Sequence, residues 1–231
     1  MQQQTIGQLV ATNYRTAAVF KKYDIDFCCN GNRTIKEAIK TTQIDEVKLL
    51  SELAGINDQS RNEDIDFKSW PLDLLIDYIE KKHHRYVSEQ IPVLTAYLAK
   101  INKVHGHKHN ELAEIEVLFQ GCAAELSSHM KKEEKILFPL IKNMADGSRN
   151  ASVQNPIKMM MHEHDAEGNR FRRIKMLSDN YNPPADACGT YKVAFALLKE
   201  FEEDLHLHIH IENNILFPRA VKLEEEINML S

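Results

Sequence analysis

Glycine and proline are scarce in this chain, at eight and seven of 231 residues. So few turn-formers exclude a fold of many short strands and tight hairpins, and they leave room for long helices. Period-two alternation is also missing over any useful length, so essentially no strand is expected. No stretch reaches the ~20 apolar residues needed to cross a bilayer. The N-terminal MQQQTIGQLV has no basic segment followed by an apolar one, so no secretory signal is read and a cytoplasmic location is expected. Positive charge is not in excess. The net charge of -5 removes the electrostatic reason to expect nucleic acid as a partner. Cysteine is limited to four residues, two of them adjacent, which excludes a disulfide framework. Cys122 and Cys188 are expected to be small buried apolar residues.

Histidine, by contrast, is abundant: eleven residues, all between His83 and His210. They sit in a chain whose apolar periodicity predicts helices. Residues 1–55 read as a small helical domain. Thr5 caps a helix carrying Ile6, Leu9, Val10, Ala17 and Phe20. The stretch DFCCNGN breaks it, Thr34-Ile-Lys-Glu37 is a capping box, and Asp45 caps a third helix with Val47, Leu50 and Leu53, ending at Gly55. Residues 56–69 are polar and read as a linker. Residues 70–231 then offer four long amphipathic segments. The first is capped by Ser69, kinked at Pro92 and ended near Gly106; the second runs from about Glu111 to Met144; the third starts at Pro156; the fourth starts between Asp186 and Thr190. Short connections between four such segments predict an all-α, up-down-up-down four-helix bundle.

The second and fourth segments carry the same phrase. HMKKEEKILFP begins at His129 and HIHIENNILFP at His208, both fitting H-x-x-x-E-x-x-I-L-F-P. Residues four apart share a helix face, so His129 with Glu133, and His208 with Glu212, reach one point each. Ile136 and Ile215, three residues on, are expected to keep that face inward. Counting from the hairpin turns brings His84 and His164 to the same level. His105 follows His84 by 21 residues and lies about 31 Å away along one helix, too far to share the site. His107 and His109 fall in the turn, and His83, His162, His206 and His210 are read as facing elsewhere.

A lone inward histidine is usually a hydrogen-bonded core residue, and a lone His–Glu pair is usually solvated. Two carboxylates buried beside four histidines are different, because an unpaired buried carboxylate costs several kcal/mol. They call for a cation. One zinc would use four ligands and leave two over. Two bridging glutamates with four histidines suit a pair of first-row ions, with a position left for a small ligand. Glu125 and Asp204 precede His129 and His208 by four residues and are candidates to orient an imidazole N–H.

These residues resemble a known family. HMKKE and HIHIE before ILFP, His84 before EQIP, and HEHD at 162–165 look like a hemerythrin-like di-iron domain. KYDIDFCCNG is similar to the short unit that precedes it in the repair-of-iron-centres proteins. The resemblance implies two non-haem, carboxylate-bridged iron ions, with room for an oxo bridge, on His84, His129, Glu133, His164, His208 and Glu212. It also implies repair of iron-sulfur clusters damaged by oxidative or nitrosative stress, with damaged or apo iron-sulfur proteins as partners and iron as the donated cargo. Cys28 and Cys29, expected to be exposed in their turn, are candidates for redox or iron transfer. Two alternatives are nitric oxide reduction at the diferrous centre and a module that reversibly binds O2 or NO. A ferritin-like oxidase fits less well, since that class uses a Glu-x-x-His pair from each of two helices and this chain offers chiefly Glu80 to His83, which is read as facing away. Members of this family often carry Gly-Gly after the cysteines. Asn30-Gly31 stands here, and asparagine tolerates the left-handed backbone such a turn can need. Oligomeric state is open, a homodimer included.

Overall fold

The computed structural model describes residues 4–40, 42–57, 65–148 and 152–229. Among these residues there is no strand, only an isolated antiparallel bridge between Thr5 and Thr34. The N-terminal unit has four helices: α1 (Ile6–Thr12), α2 (Thr16–Lys22), α3 (Ile35–Ile39) and α4 (Glu46–Asn57). Thr5 and Thr34 both close full capping boxes, with Gln8 and Glu37 returning the hydrogen bond. The single helix expected through Phe20 is two. Asn13 is extended, and its side chain accepts from the Arg15 amide, which restarts the chain in a new direction. Asp45 caps α4 as expected, accepting from the Val47 and Lys48 amides. The buried stripe of α4 is Leu49 and Leu53, however. Val47 is 78% exposed, and the helix continues past Gly55 to Asn57.

Residues 58–64 of the expected linker lie outside the described residues. The rest of that stretch is structured. Phe67 is buried in a short 3-10 turn capped by Asp66, edge-on to Trp70 with ring centres 5.1 Å apart. Ser69 therefore belongs to this turn rather than to a helix cap. The next helix starts at Leu72 after an extended Pro71.

The bundle consists of α5 (Leu72–Tyr78, a π-helical turn Ile79–His84, then Arg85–His105), α6 (Glu111–Lys132, π turn Glu133–Leu137, Phe138–Ala145), α7 (Gln154–Leu177) and α8 (Gly189–Ile211, π turn Glu212–Leu216, Phe217–Met229). α6 lies along α5 and α7, and α8 lies along α5. Gly106 ends α5 and Pro92 is accommodated within it. Between α7 and α8, three successive residues, Asp179, Asn180 and Tyr181, take left-handed φ angles and reverse the chain.

Two apolar clusters fill the interior. One joins the N-terminal unit to one half of the bundle, through residues such as Phe20, Phe27, Leu94, Phe119, Phe171 and Phe201. The other fills the opposite half, around Ile79, Leu137, Phe138, Met160, Ile211 and Phe217. Along every bundle helix the change from one cluster to the other falls where a buried histidine or glutamate stands. The polar residues form a slab between two apolar ends.

Candidate metal centre

Six side chains meet in that slab, and all of them are at most 3% exposed. Helical spacing brings the first pairs together. His129 Nε2 is 3.2 Å from Glu133 Oε1, and His208 Nε2 is 3.2 Å from Glu212 Oε1. The second oxygen of each glutamate turns to another helix. Glu133 Oε2 is 3.3 Å from His84 Nε2 on α5, and Glu212 Oε2 is 3.2 Å from His164 Nε2 on α7. Each carboxylate thus spans two positions. One is outlined by His84, His208 and both glutamates, the other by His129, His164 and both glutamates, with donor atoms in each set within 4.8 Å of one another.

The donor chemistry fits a pair of cations. Both oxygens of Glu133, both of Glu212, and Nε2 of His84 and His208 are buried with no hydrogen-bond partner in the protein. Nε2 of His164 faces Nε2 of His129 at 3.0 Å, so at most one of them can carry the proton between them. Carboxylate oxygens and imidazole nitrogens are donors that first-row metals accept. Without a cation the charges settle among the residues themselves. Burial works against ionising His129, yet the nearby Glu133, Glu212 and Glu163 outweigh it and raise its pKa to about 9. Burial likewise penalises the Glu212 charge, but His208 and His164 hold it well below the usual carboxylate range. Burial lowers the pKa of His208.

The comparison with known proteins agrees with this geometry. Residues 75–220 match the hemerythrin HHE cation binding domain. The chain belongs to the hemerythrin HHE family. In this family member, residues 2–57 also match ScdA_N, a domain of unknown function. The chain is 38% identical over 229 residues to the iron-sulfur cluster repair protein YtfE of Musicola paradisiaca (strain Ech703), covering 96% of this chain and 98% of the relative. It is 38% identical to the protein of the same name from Enterobacter sp. (strain 638), and 37% to that of Escherichia coli O8 (strain IAI1). Both of these alignments cover 94% of this chain and 96% of the relative.

The outer partners of the hemerythrin-type histidines differ from those expected. Glu125 pairs with Arg170, not His129. Asp204 pairs with His83 Nδ1 at 3.0 Å, not His208. The imidazoles are backed instead by Glu134 on His84 (2.8 Å), Glu163 on His129 (2.8 Å) and Asn213 on His164 (2.9 Å). Sequence spacing missed these because each partner backs a histidine of another helix. The available signal was position: Glu134 and Asn213 directly follow the two repeat glutamates, and Glu163 directly precedes His164.

Regular helical spacing predicts that His83 faces away, but it is fully buried, its ring parallel to that of His208 with centres 5.4 Å apart. The π turn at Ile79–His84 supplies the reason. An extra residue per turn rotates two consecutive histidines toward the interior. The same effect displaces Ile136, which is 54% exposed while Leu137 takes the inward place. In the second copy both Ile215 and Leu216 are buried, because α1 packs over that turn.

His162 is exposed, as expected, and His206 and His210 face Phe27 of the N-terminal unit. His105 pairs with Cys188 Sγ at 3.2 Å. Cys188 is thus exposed at the start of α8 rather than buried, while Cys122 is buried. Backbone amides and His105 lower the Cys188 thiol pKa to about 7.

Cys28 is also buried and Cys29 half-buried, contrary to the exposed turn expected. Their sulfurs lie 3.8 Å apart. Asp26 organises the turn by accepting from both cysteine amides and from Asn30. Asn30 serves through its side chain and does not adopt a left-handed backbone. Asp26, Cys28 and Cys29 form a third cluster of potential metal donors.

Proposed function

We propose that His84, His129, Glu133, His164, His208 and Glu212 hold two non-haem iron ions bridged by the two carboxylates. The protein then repairs iron-sulfur clusters damaged by oxidative or nitrosative stress by donating iron to damaged or apo iron-sulfur proteins. The observation that carries this reading is the set of four buried carboxylate oxygens without a protein donor, each facing a histidine nitrogen. The names of the relatives, iron-sulfur cluster repair proteins aligned over nearly the whole chain, support the direction of the chemistry.

A bound iron pair supplies a reservoir of exchangeable metal and a redox centre for small ligands such as NO or O2. The residues set how tightly that reservoir is kept. No thiolate lies among the six, so the centre lacks the ligands that hold iron in clusters. Glu134, Glu163 and Asn213 fix which imidazole nitrogen points inward. The apolar clusters flank the slab on both sides.

Cys28 and Cys29, with Asp26, form the acceptor through which iron leaves the centre. Cys29 Sγ lies 3.4 Å from the His164 carbonyl oxygen, next to one ligand. Contact with Cys29 and burial keep the Cys28 thiol protonated at neutral pH, so iron taken up there displaces a proton. All four cysteines are free, the adjacent pair included, which suits a reducing cytoplasm.

The test is iron per chain, followed by anaerobic transfer to an apo iron-sulfur acceptor. About two irons per chain and cluster restoration at stoichiometric cost are expected. Replacing both Cys28 and Cys29 by serine slows restoration while iron content stays constant. One zinc per chain, or unchanged restoration in the double variant, overturns the corresponding part. Nitrous oxide formed from NO at catalytic rates would move the reading to nitric oxide reduction. Tight retention of iron in the presence of acceptor would move it to a ligand-binding module.

A further inference from the structure

The two copies of the repeat differ at the two positions after the glutamate. The first has Glu134-Lys135 and the second Asn213-Asn214. In the first copy both residues are exposed, and Glu134 reaches back to His84. In the second copy both asparagines turn toward the N-terminal unit. Asn213 is buried. Its Oδ1 lies 2.9 Å from His164 Nδ1, and its Nδ2 points at the Cys28 carbonyl oxygen at 3.5 Å. Asn214 Nδ2 donates to the same carbonyl at 3.2 Å and lies 3.4 Å from that of Phe27. The N-terminal backbone closes tightly around Asn214. A Cβ on Gly7 would sit 2.0 Å from its Oδ1, and one on Gly31 2.8 Å.

A return contact runs the other way. Cys29 Sγ bonds the His164 carbonyl at 3.4 Å, and a Cβ on Gly168, one turn further along α7, would come within 3.1 Å of that sulfur. His164 is therefore held at its ring by Asn213 and at its backbone by Cys29. The other three histidines have different neighbours: Glu134 for His84, Glu163 for His129, and the parallel His83 ring for His208.

We infer that Asn213 and Asn214 couple the Cys28–Cys29 turn to His164. The metal position outlined by His129 and His164 is then the one whose hold on iron depends on how the turn sits. This rests on the iron-donor reading and assigns the release to one of its two positions. Asn213 is a positioning residue: as acceptor for Nδ1–H it leaves Nε2 free to bind. Asn214 anchors the turn that keeps Asn213 in place. If the turn shifts when its thiols take up metal, Asn213 loses its contact at Cys28 and His164 loses its backing.

The experiment uses the full chain and two readouts. One is the release of iron to an excess ferrous chelator after anaerobic loading. The other is the alkylation rate of Cys28 and Cys29, mapped by peptide mass, in iron-free protein. Asn214→Ala removes the anchor without touching His164. It is expected to speed alkylation several-fold and to release one of the two irons about ten-fold faster, the other leaving at the unchanged rate. Asn213→Asp keeps the acceptor for His164 but sets an oxygen against the Cys28 carbonyl. It is expected to speed alkylation without speeding iron release, because His164 keeps its acceptor. Glu134→Gln, at the equivalent place in the other copy, leaves alkylation unchanged. Faster alkylation in Asn214→Ala with both irons released at the original rate overturns the coupling, and equal acceleration of both irons overturns the assignment to one position. Should Asn214→Ala not fold, unchanged alkylation in Asn213→Asp overturns the latch by itself. An unaltered protein that does not take up two irons overturns the iron-donor reading instead, and the alkylation rates still judge the latch.

Discussion

Glu133 and Glu212 each divide their two oxygens between a histidine of their own helix and one of another. A glutamine at either place keeps the shape but offers one acceptor oxygen and one amide that no metal accepts. Glu133→Gln should therefore lower iron content to one or fewer per chain, by metal analysis. It should also abolish most of the difference in melting temperature between iron-loaded and iron-free protein, because a ligand stabilises only the state it binds. Retention of two irons with an unchanged difference would rule out bridging by Glu133. At this scale the sequence was informative where spacing along one helix decides the contact, as for His129–Glu133 and His208–Glu212. It misled where the partner came from elsewhere: Glu125 and Asp204 have the right spacing, but their partners Arg170 and His83 lie on other helices and are not the histidines four residues on.

Three of the four bundle helices loosen into a π turn at the centre, and these turns contain His84, Glu133 and Glu212. The hydrogen-bond cost of such a turn is met by setting a donor atom where a regular helix would not. Regular 3.6-residue periodicity cannot reveal this, which is why spacing alone puts Ile136 and His83 on the wrong faces. Capping chemistry was legible, because it depends only on residues three apart. Thr34→Ala removes the hydroxyl that accepts from the Glu37 amide and leaves the bond from the Thr34 amide to the Glu37 carboxylate; it should cost about 1 kcal/mol in chemical denaturation, with iron content unchanged. A loss of iron in that variant would mean that α3 supports the centre more directly than its contacts indicate.

Across the whole molecule, the N-terminal unit and half of the bundle share one apolar cluster, and buried carboxylates lie within it. Glu202 is one. Burial, relieved only partly by Lys175 and Tyr181, raises its pKa above the usual range. A carboxyl whose pKa is raised in the folded state binds its proton more tightly there than when unfolded, so its contribution to stability is lost as pH rises through that range. Glu202→Gln should melt higher than the unaltered protein at about pH 7 and equally at about pH 4, where both carry a neutral group. An equal difference at both values would assign the effect to packing instead. No described helix is long and apolar enough to cross a membrane.

By itself, the sequence determined the all-helical class, the four-rod bundle and the six side chains that converge, since helix periodicity and hairpin counting are properties of the chain alone. Only the tertiary structure decided which residues back each imidazole, that Cys28 is buried rather than displayed, and that the cysteine turn lies against His164. Those outcomes depend on side chains from different helices competing for the same polar atoms, and on where the N-terminal unit docks. Neither is encoded in the spacing of residues along one element.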